Sequence, residues 1–206
     1  MELSKYHLDT LEAIVTVSPS ILVRKYKEDC CIAATRILIE VLKKLHFRNI
    51  KPLVVEANIF NEVYCTKGRP PESEEEAKAW LEEGAWQVVV GDRQTIIPNK
   101  WPGHLVVILE DKYMIDLSMF QASRPQKKIN MAPICTVVPE NFVKGGDKCG
   151  LMFNNCMITY SPFLKDQSYQ KAKDWWDKTR SADVVSDILD EVKYLLKNKK
   201  SDMVKV

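Results

Sequence analysis

The stretch Trp101–Ser118, WPGHLVVILEDKYMIDLS, constrains this chain more than any other. Two short apolar runs, Leu105–Leu109 and Tyr113–Leu117, flank the polar Glu110-Asp111-Lys112, which predicts a β-hairpin turning at Glu110–Asp111. Both faces of each run are apolar, as expected of strands covered on two sides. Yet His104 opens the first run and Asp116 stands near the end of the second. A hairpin with this turn sets the two nearly opposite each other, with Cβ atoms roughly 5 Å apart. A carboxylate in such a place needs a hydrogen-bond partner, and His104 is the nearest.

Upstream, Asp29-Cys30-Cys31 opens a second constrained segment. Asp29 can cap a helix running to about His46, with both cysteines in its first turn. Helical spacing puts Cys31, Thr35, Leu38, Leu42 and Leu45 along the centre of an apolar stripe, with Arg36, Glu40, Lys43 and Lys44 on the other side. Cys31 is thus expected to face the sheet. A thiol at a helix N-terminus gains from the dipole and the free backbone N–H groups, which favour the thiolate and can also bind an oxyanion. With His104 to take the proton and Asp116 to orient His104, the parts of a thiol nucleophile are complete.

The remaining segments predict an α+β chain, with helices packed on a central, mainly antiparallel sheet. Met1–Val17 has helical spacing and is expected to stop at Ser18-Pro19, with Ile21–Tyr26 a separate short segment. Lys51–Asn58 predicts a strand that Ile59–Tyr64 continues or pairs with. Ser73 and Glu76 form a capping box for a helix over Ser73–Glu83. Trp86–Val90, Ile134–Pro139 and Leu151–Tyr160 are expected strands. Gln94–Gly103 is an irregular approach to the hairpin, and Gly103 allows close approach of backbone or substrate to His104. Asp166–Lys178 and Ala182–Asn198 are the closing helices, with a frayed tail after Leu196. His46 is expected in the last helical turn as a C-terminal charge. Nothing divides residues 1–206, so one domain is expected, its core spanning about 20–160 and its C-terminal helices about 166–198.

A net charge of +2 offers no case for nucleic acid or an anionic membrane as partner. The six cysteines show neither Cys-x-x-Cys nor a disulfide framework, and no apolar run has the length of a membrane span or the form of a signal peptide. A reduced, cytoplasmic setting is the expectation. Oligomeric state is open. A metal site built from Cys30, Cys31 and His104 would use an uncommon adjacent-cysteine spacing and lacks a fourth ligand, so neither metal nor cofactor is expected.

The strings CIAATR (Cys31–Arg36), WPGHLVV (Trp101–Val107) and DLSMFQASRP (Asp116–Pro125) give a helix-borne Cys followed by His and Asp on neighbouring strands. This order resembles the transglutaminase-like superfamily of Cys-His-Asp thiol enzymes, and the strings look like those of bacterial and phage members whose reactions are unassigned. The resemblance covers the cysteine helix to Pro125. It implies a transglutaminase-like or papain-like cysteine-enzyme fold, with Cys31 as nucleophile, His104 as base and Asp116 as orienting acid. Gln121 and Arg124, which follow Asp116, would line a substrate cleft, and Trp101 either walls that cleft or packs on the core. The implied activity is acyl transfer to, or hydrolysis of, a protein, peptide or small acyl substrate through a covalent acyl-enzyme. A non-catalytic member that binds a peptide or small molecule in the same cleft is the alternative. Neither the Gly-Gln-Cys-Trp of animal transglutaminases nor the Arg-Gly-Gly of arylamine acetyltransferases surrounds the cysteine, which leaves donor and acceptor open.

Overall fold

Strand β1, Ile50–Phe60, organises the sheet in the computed structural model, which describes residues 3–26, 30–93, 101–177, 179 and 181–203. Along one edge, Ile50–Val55 pairs with β3 (His104–Leu109), and Ala57–Phe60 then pairs with β2 (Gln87–Val90). Along the other edge, Val55–Phe60 pairs with β7 (Cys156–Pro162). Pro52 is tolerated because β7 begins pairing only at Val55, so a missing N–H at Pro52 can face away from the ladder. With β4 (Tyr113–Asp116), β5 (Ile134–Val137) and β6 (Cys149–Phe153), the order is β5-β4-β3-β1-β7-β6, with β2 beside β1, and every pairing is antiparallel.

The sheet curls, and its two faces serve two cores. Val55, Ala57, Ile59, Val106, Ile108, Met114, Ile158 and Tyr160 fill the concave side with Phe142 and Ile129. Val107, Leu109, Ile115 and Leu117 pack on the other side against helices α1 (Lys5–Lys25), α2 (Cys31–Lys44) and α6 (Ala182–Met203). All six residues of β3 are buried, as the two-faced apolar pattern requires. Helices α3 (Glu62–Cys65) and α4 (Glu74–Glu82) lie in the β1–β2 connection, and α5 (Lys173–Trp176) follows β7. Among the described residues no helix is long and apolar enough to cross a membrane.

Several expected boundaries move. Helix α1 runs through Pro19, because Ile21 and Leu22 continue the buried stripe of Leu11 and Ile14; the Ser18 hydroxyl donates to the Ile14 carbonyl at 2.6 Å. Helix α2 ends at Lys44, and His46 is the left-handed turn-out residue (φ 64°), with the Phe47 N–H returning to the Leu42 carbonyl at 3.0 Å. Leu151–Tyr160 is two strands, because Asn154 and Asn155 (φ 47° and 60°) make a tight turn. Asp166–Lys178 is a 3-10 turn at Ser168–Lys171 followed by the single turn α5; Lys178 lies outside the described residues. Beyond Leu196 the chain stays helical, and Lys199 joins α6 to Asp9 and Glu12 of α1, each at 2.9 Å. Ser73 caps α4 through the Glu76 N–H, but the Glu76 carboxylate takes the Glu72 N–H and Arg69, so the capping box is half formed.

The helix-facing core is expected to carry far more of the stability than the sheet edge. Ile188→Ala, at a site with 0% exposure, should cost about 2–5 kcal/mol in denaturant unfolding. Val137→Ala on the exposed edge strand β5 should change it by no more than about 0.5 kcal/mol.

Candidate functional site

The hairpin turns through the three residues Glu110, Asp111 and Lys112, with Glu110 and Asp111 both at φ 54°. Its register pairs Val107 with Ile115, Ile108 with Met114 and Leu109 with Tyr113. Carried on, this places Val106, not His104, opposite Asp116. His104 is the diagonal neighbour two residues further on, where Cβ atoms lie roughly 7–8 Å apart. The imidazole is long enough to close that gap: His104 Nε2 and Asp116 Oδ2 are 2.6 Å apart, at 2% and 0% exposure.

Cys31 is the first residue of α2, and its carbonyl-facing thiol lies 3.9 Å from the Gly103 oxygen. With Nε2 committed to Asp116, Nδ1 is the nitrogen left toward Cys31, whose thiol is near enough to add to the upward shift of the imidazole. The helix is held against β3 by the Thr35 hydroxyl, which donates to the Leu105 carbonyl at 2.8 Å. Asp29, the expected cap, lies outside the described residues, and Cys30 occupies the N-cap position without a side-chain cap bond. Gln121 acts there instead: its Oε1 accepts the Cys30 N–H at 3.2 Å. Gln121 Nε2 is sealed from solvent with no hydrogen-bond partner of good geometry, although the amide lies near enough to the Cys30 thiol to oppose the rise of its pKa.

The two adjacent thiols differ sharply. Cys30 is 1% exposed, and burial, then the neighbouring Cys31, push its thiol up to about 12. Cys31 is only partly buried. Burial alone would pull His104 down, but the Asp116 charge and hydrogen bond, with the Cys31 thiol, override it and hold the imidazole up at about 10. The result is an imidazole held in its protonated form beside the Asp116 carboxylate, with the Cys31 side chain near its other nitrogen.

The other expected cleft residues divide. Trp101 lies over Gly103, where an added Cβ would meet the indole at 2.3 Å, and its Nε1 donates to the Ser168 hydroxyl at 2.7 Å. Its ring meets Tyr169, which in turn meets Trp175. Cys31 packs on this aromatic cluster with Ile32, Val54 and Leu105. Arg124 is exposed and donates to the carbonyls of Gln121 and Ser123, so it braces the turn after Asp116. Arg36, expected on the polar side of α2, is 5% exposed because the segment after β7 covers it; its guanidinium donates to the carbonyls of Trp175 and Asp177. The approach over 94–100 lies outside the described residues.

Two partners of Asp116 escaped the sequence. Oδ1 accepts from the Ser118 N–H at 3.1 Å and the Ser118 hydroxyl at 3.2 Å, and Oδ2 accepts from the Tyr160 hydroxyl at 3.1 Å. Ser118 could have been found as a polar residue two positions after a buried Asp, an Asx-type turn. Tyr160, 44 residues away, left no local signal. Among the described residues no group of three or more His, Cys, Asp or Glu side chains could hold a metal ion. Comparison with protein-family models, curated proteins and solved structures returns no match.

The His104 shift has a stability consequence of fixed sign. A pKa raised from 6.5 to about 10 on folding contributes stability that is complete below pH 6.5 and lost progressively as pH rises to about 10. Denaturant unfolding between pH 6 and 10.5 should show wild-type stability falling, with a much flatter profile for His104→Asn.

Proposed function

We propose that this protein is a thiol-dependent acyl-transfer or hydrolytic enzyme of transglutaminase-like type. The observation that carries this is the buried imidazole of His104, held by Asp116 on one nitrogen and open to Cys31 on the other. The Cys31 thiolate attacks the carbonyl carbon of an amide, ester or thioester, and the carbonyl electron pair moves onto oxygen. Backbone N–H groups at the start of α2 face the developing oxyanion. As the adduct collapses, the bond to the leaving group breaks and His104 Nδ1 supplies the proton that the leaving amine, alcohol or thiol needs. Water or an amine then gives a proton to Nδ1, attacks the thioester and frees Cys31. Asp116 holds the ring and its charge throughout. The resolving nucleophile decides between hydrolase and transferase.

An activated aryl ester should give a burst of one phenol per chain, with mass spectrometry placing the acyl group on Cys31. Cys31→Ala should abolish the burst, whereas Cys30→Ala should retain it, because the Cys30 thiol is sealed and protonated. Asp116→Asn should slow acylation at least about tenfold near pH 7. A wild-type protein that folds and never acylates would turn the cleft into the binding module of the alternative reading.

A further inference from the structure

Ser118 meets Asp116 through a local turn, but Tyr160 does not. Strands β4 and β7 are separated by β3 and β1, about 14 Å in a flat sheet, too far for one tyrosine. The contact exists because the sheet curls and Tyr160 crosses the concave core, at 0% exposure, to end on the triad carboxylate. The phenol is a permanent donor there: burial, then the Asp116 charge, push its ionisation well above the ordinary range.

A hydrogen bond to an anion is stronger when that anion's charge is less compensated. Asp116 is compensated when His104 is an imidazolium and uncompensated when His104 is neutral. The Tyr160 bond therefore stabilises the neutral state of the ring more than the charged one. The other titratable groups facing this set are Cys31 on α2, Cys30 beside it, and Cys149 on β6 behind Tyr160.

We propose that Tyr160 is a positioning residue that moderates the hold of Asp116 on the His104 proton, so that the ring can both release that proton and regain it. A His–Asp pair at 2.6 Å in a dry interior otherwise keeps its proton, and a general acid that keeps its proton expels no leaving group. The catalytic meaning rests on the acyl-transfer reading, whereas the titration does not.

Tyr160→Phe removes one oxygen and leaves the ring. Site-specific 3-fluorotyrosine at position 160 supplies a more acidic, stronger donor with the packing kept. His104 is followed by nitrogen NMR in histidine-labelled protein; there are three histidines in the chain, and His104→Asn assigns the signal. Tyr160→Phe should raise the His104 pKa by about one unit, and fluorotyrosine should lower it by less. Deacylation of Tyr160→Phe near pH 7 should slow about tenfold. A lower melting temperature with the His104 titration unmoved, or a downward shift in Tyr160→Phe, overturns the proposal. If Tyr160→Phe does not fold, the fluorotyrosine protein decides: a downward shift supports the proposal and an unmoved titration overturns it. A wild-type protein that never forms an acyl-enzyme removes the acyl-transfer reading, while the His104 titration still decides whether Tyr160 moderates the pair.

Discussion

A fully buried carboxylate is the constraint around which this molecule is arranged. Asp116 is sealed from bulk solvent, and a buried anion in a protein interior either finds donors or takes up a proton. Its donors come from three places: His104 at the start of β3, Ser118 in the turn after β4, and Tyr160 on β7. Each must be delivered by a different part of the backbone. The hairpin turn sets the His104 diagonal, the 3-10 turn after Asp116 sets Ser118, and the curl of the sheet sets Tyr160. The position of β7 against β1 is therefore as much a feature of the site as the cysteine helix is.

A second constraint is angular. Adjacent residues in a helix differ by about a third of a turn in direction, and at the start of α2 that step separates two identical side chains into different environments. Cys30 goes into the apolar interior with Ala33, Ile37 and Leu42, where a charged sulfur is strongly disfavoured. Cys31 goes to the rim, between the Gly103 carbonyl and the aromatic cluster of Trp101 and Tyr169. Gln121 fixes the phase by gripping the Cys30 N–H. Selectivity between the thiols thus comes from geometry, with no difference in residue type.

The sequence made the local parts of this site legible. Alternation and turn chemistry give the hairpin and its turning point, and helical spacing gives α2 and the two cysteines at its start. The same alternation misplaced the His104–Asp116 contact by one register step, because same-face pairs can be diagonal as well as direct. Arg36 departs from the exposed polar face that helical spacing predicts, because a guanidinium can be buried where backbone carbonyls receive it. Pro19 marked a helix end that the continuing apolar stripe overrode. Tyr160 could not be inferred, because its position depends on a pairing between β1 and β7 that spans about a hundred residues, and no pattern inside either strand names its partner.

That long pairing bears on how the protein comes into being. Synthesis proceeds from the N-terminus, and domains settle as their elements emerge. When the chain has been made through Pro125, Cys31, His104 and Asp116 are all present in it, but β1 still has one edge unoccupied and the carboxylate lacks its phenol. Non-local strand pairs of this kind are the slow ones to form. The last third of the chain, which holds none of Cys31, His104 and Asp116, is therefore what completes their surroundings. A nascent chain carries the thiol, the imidazole and the carboxylate before it carries their finished surroundings, so the timing of β7 docking sets when the Asp116 carboxylate gains its last donor.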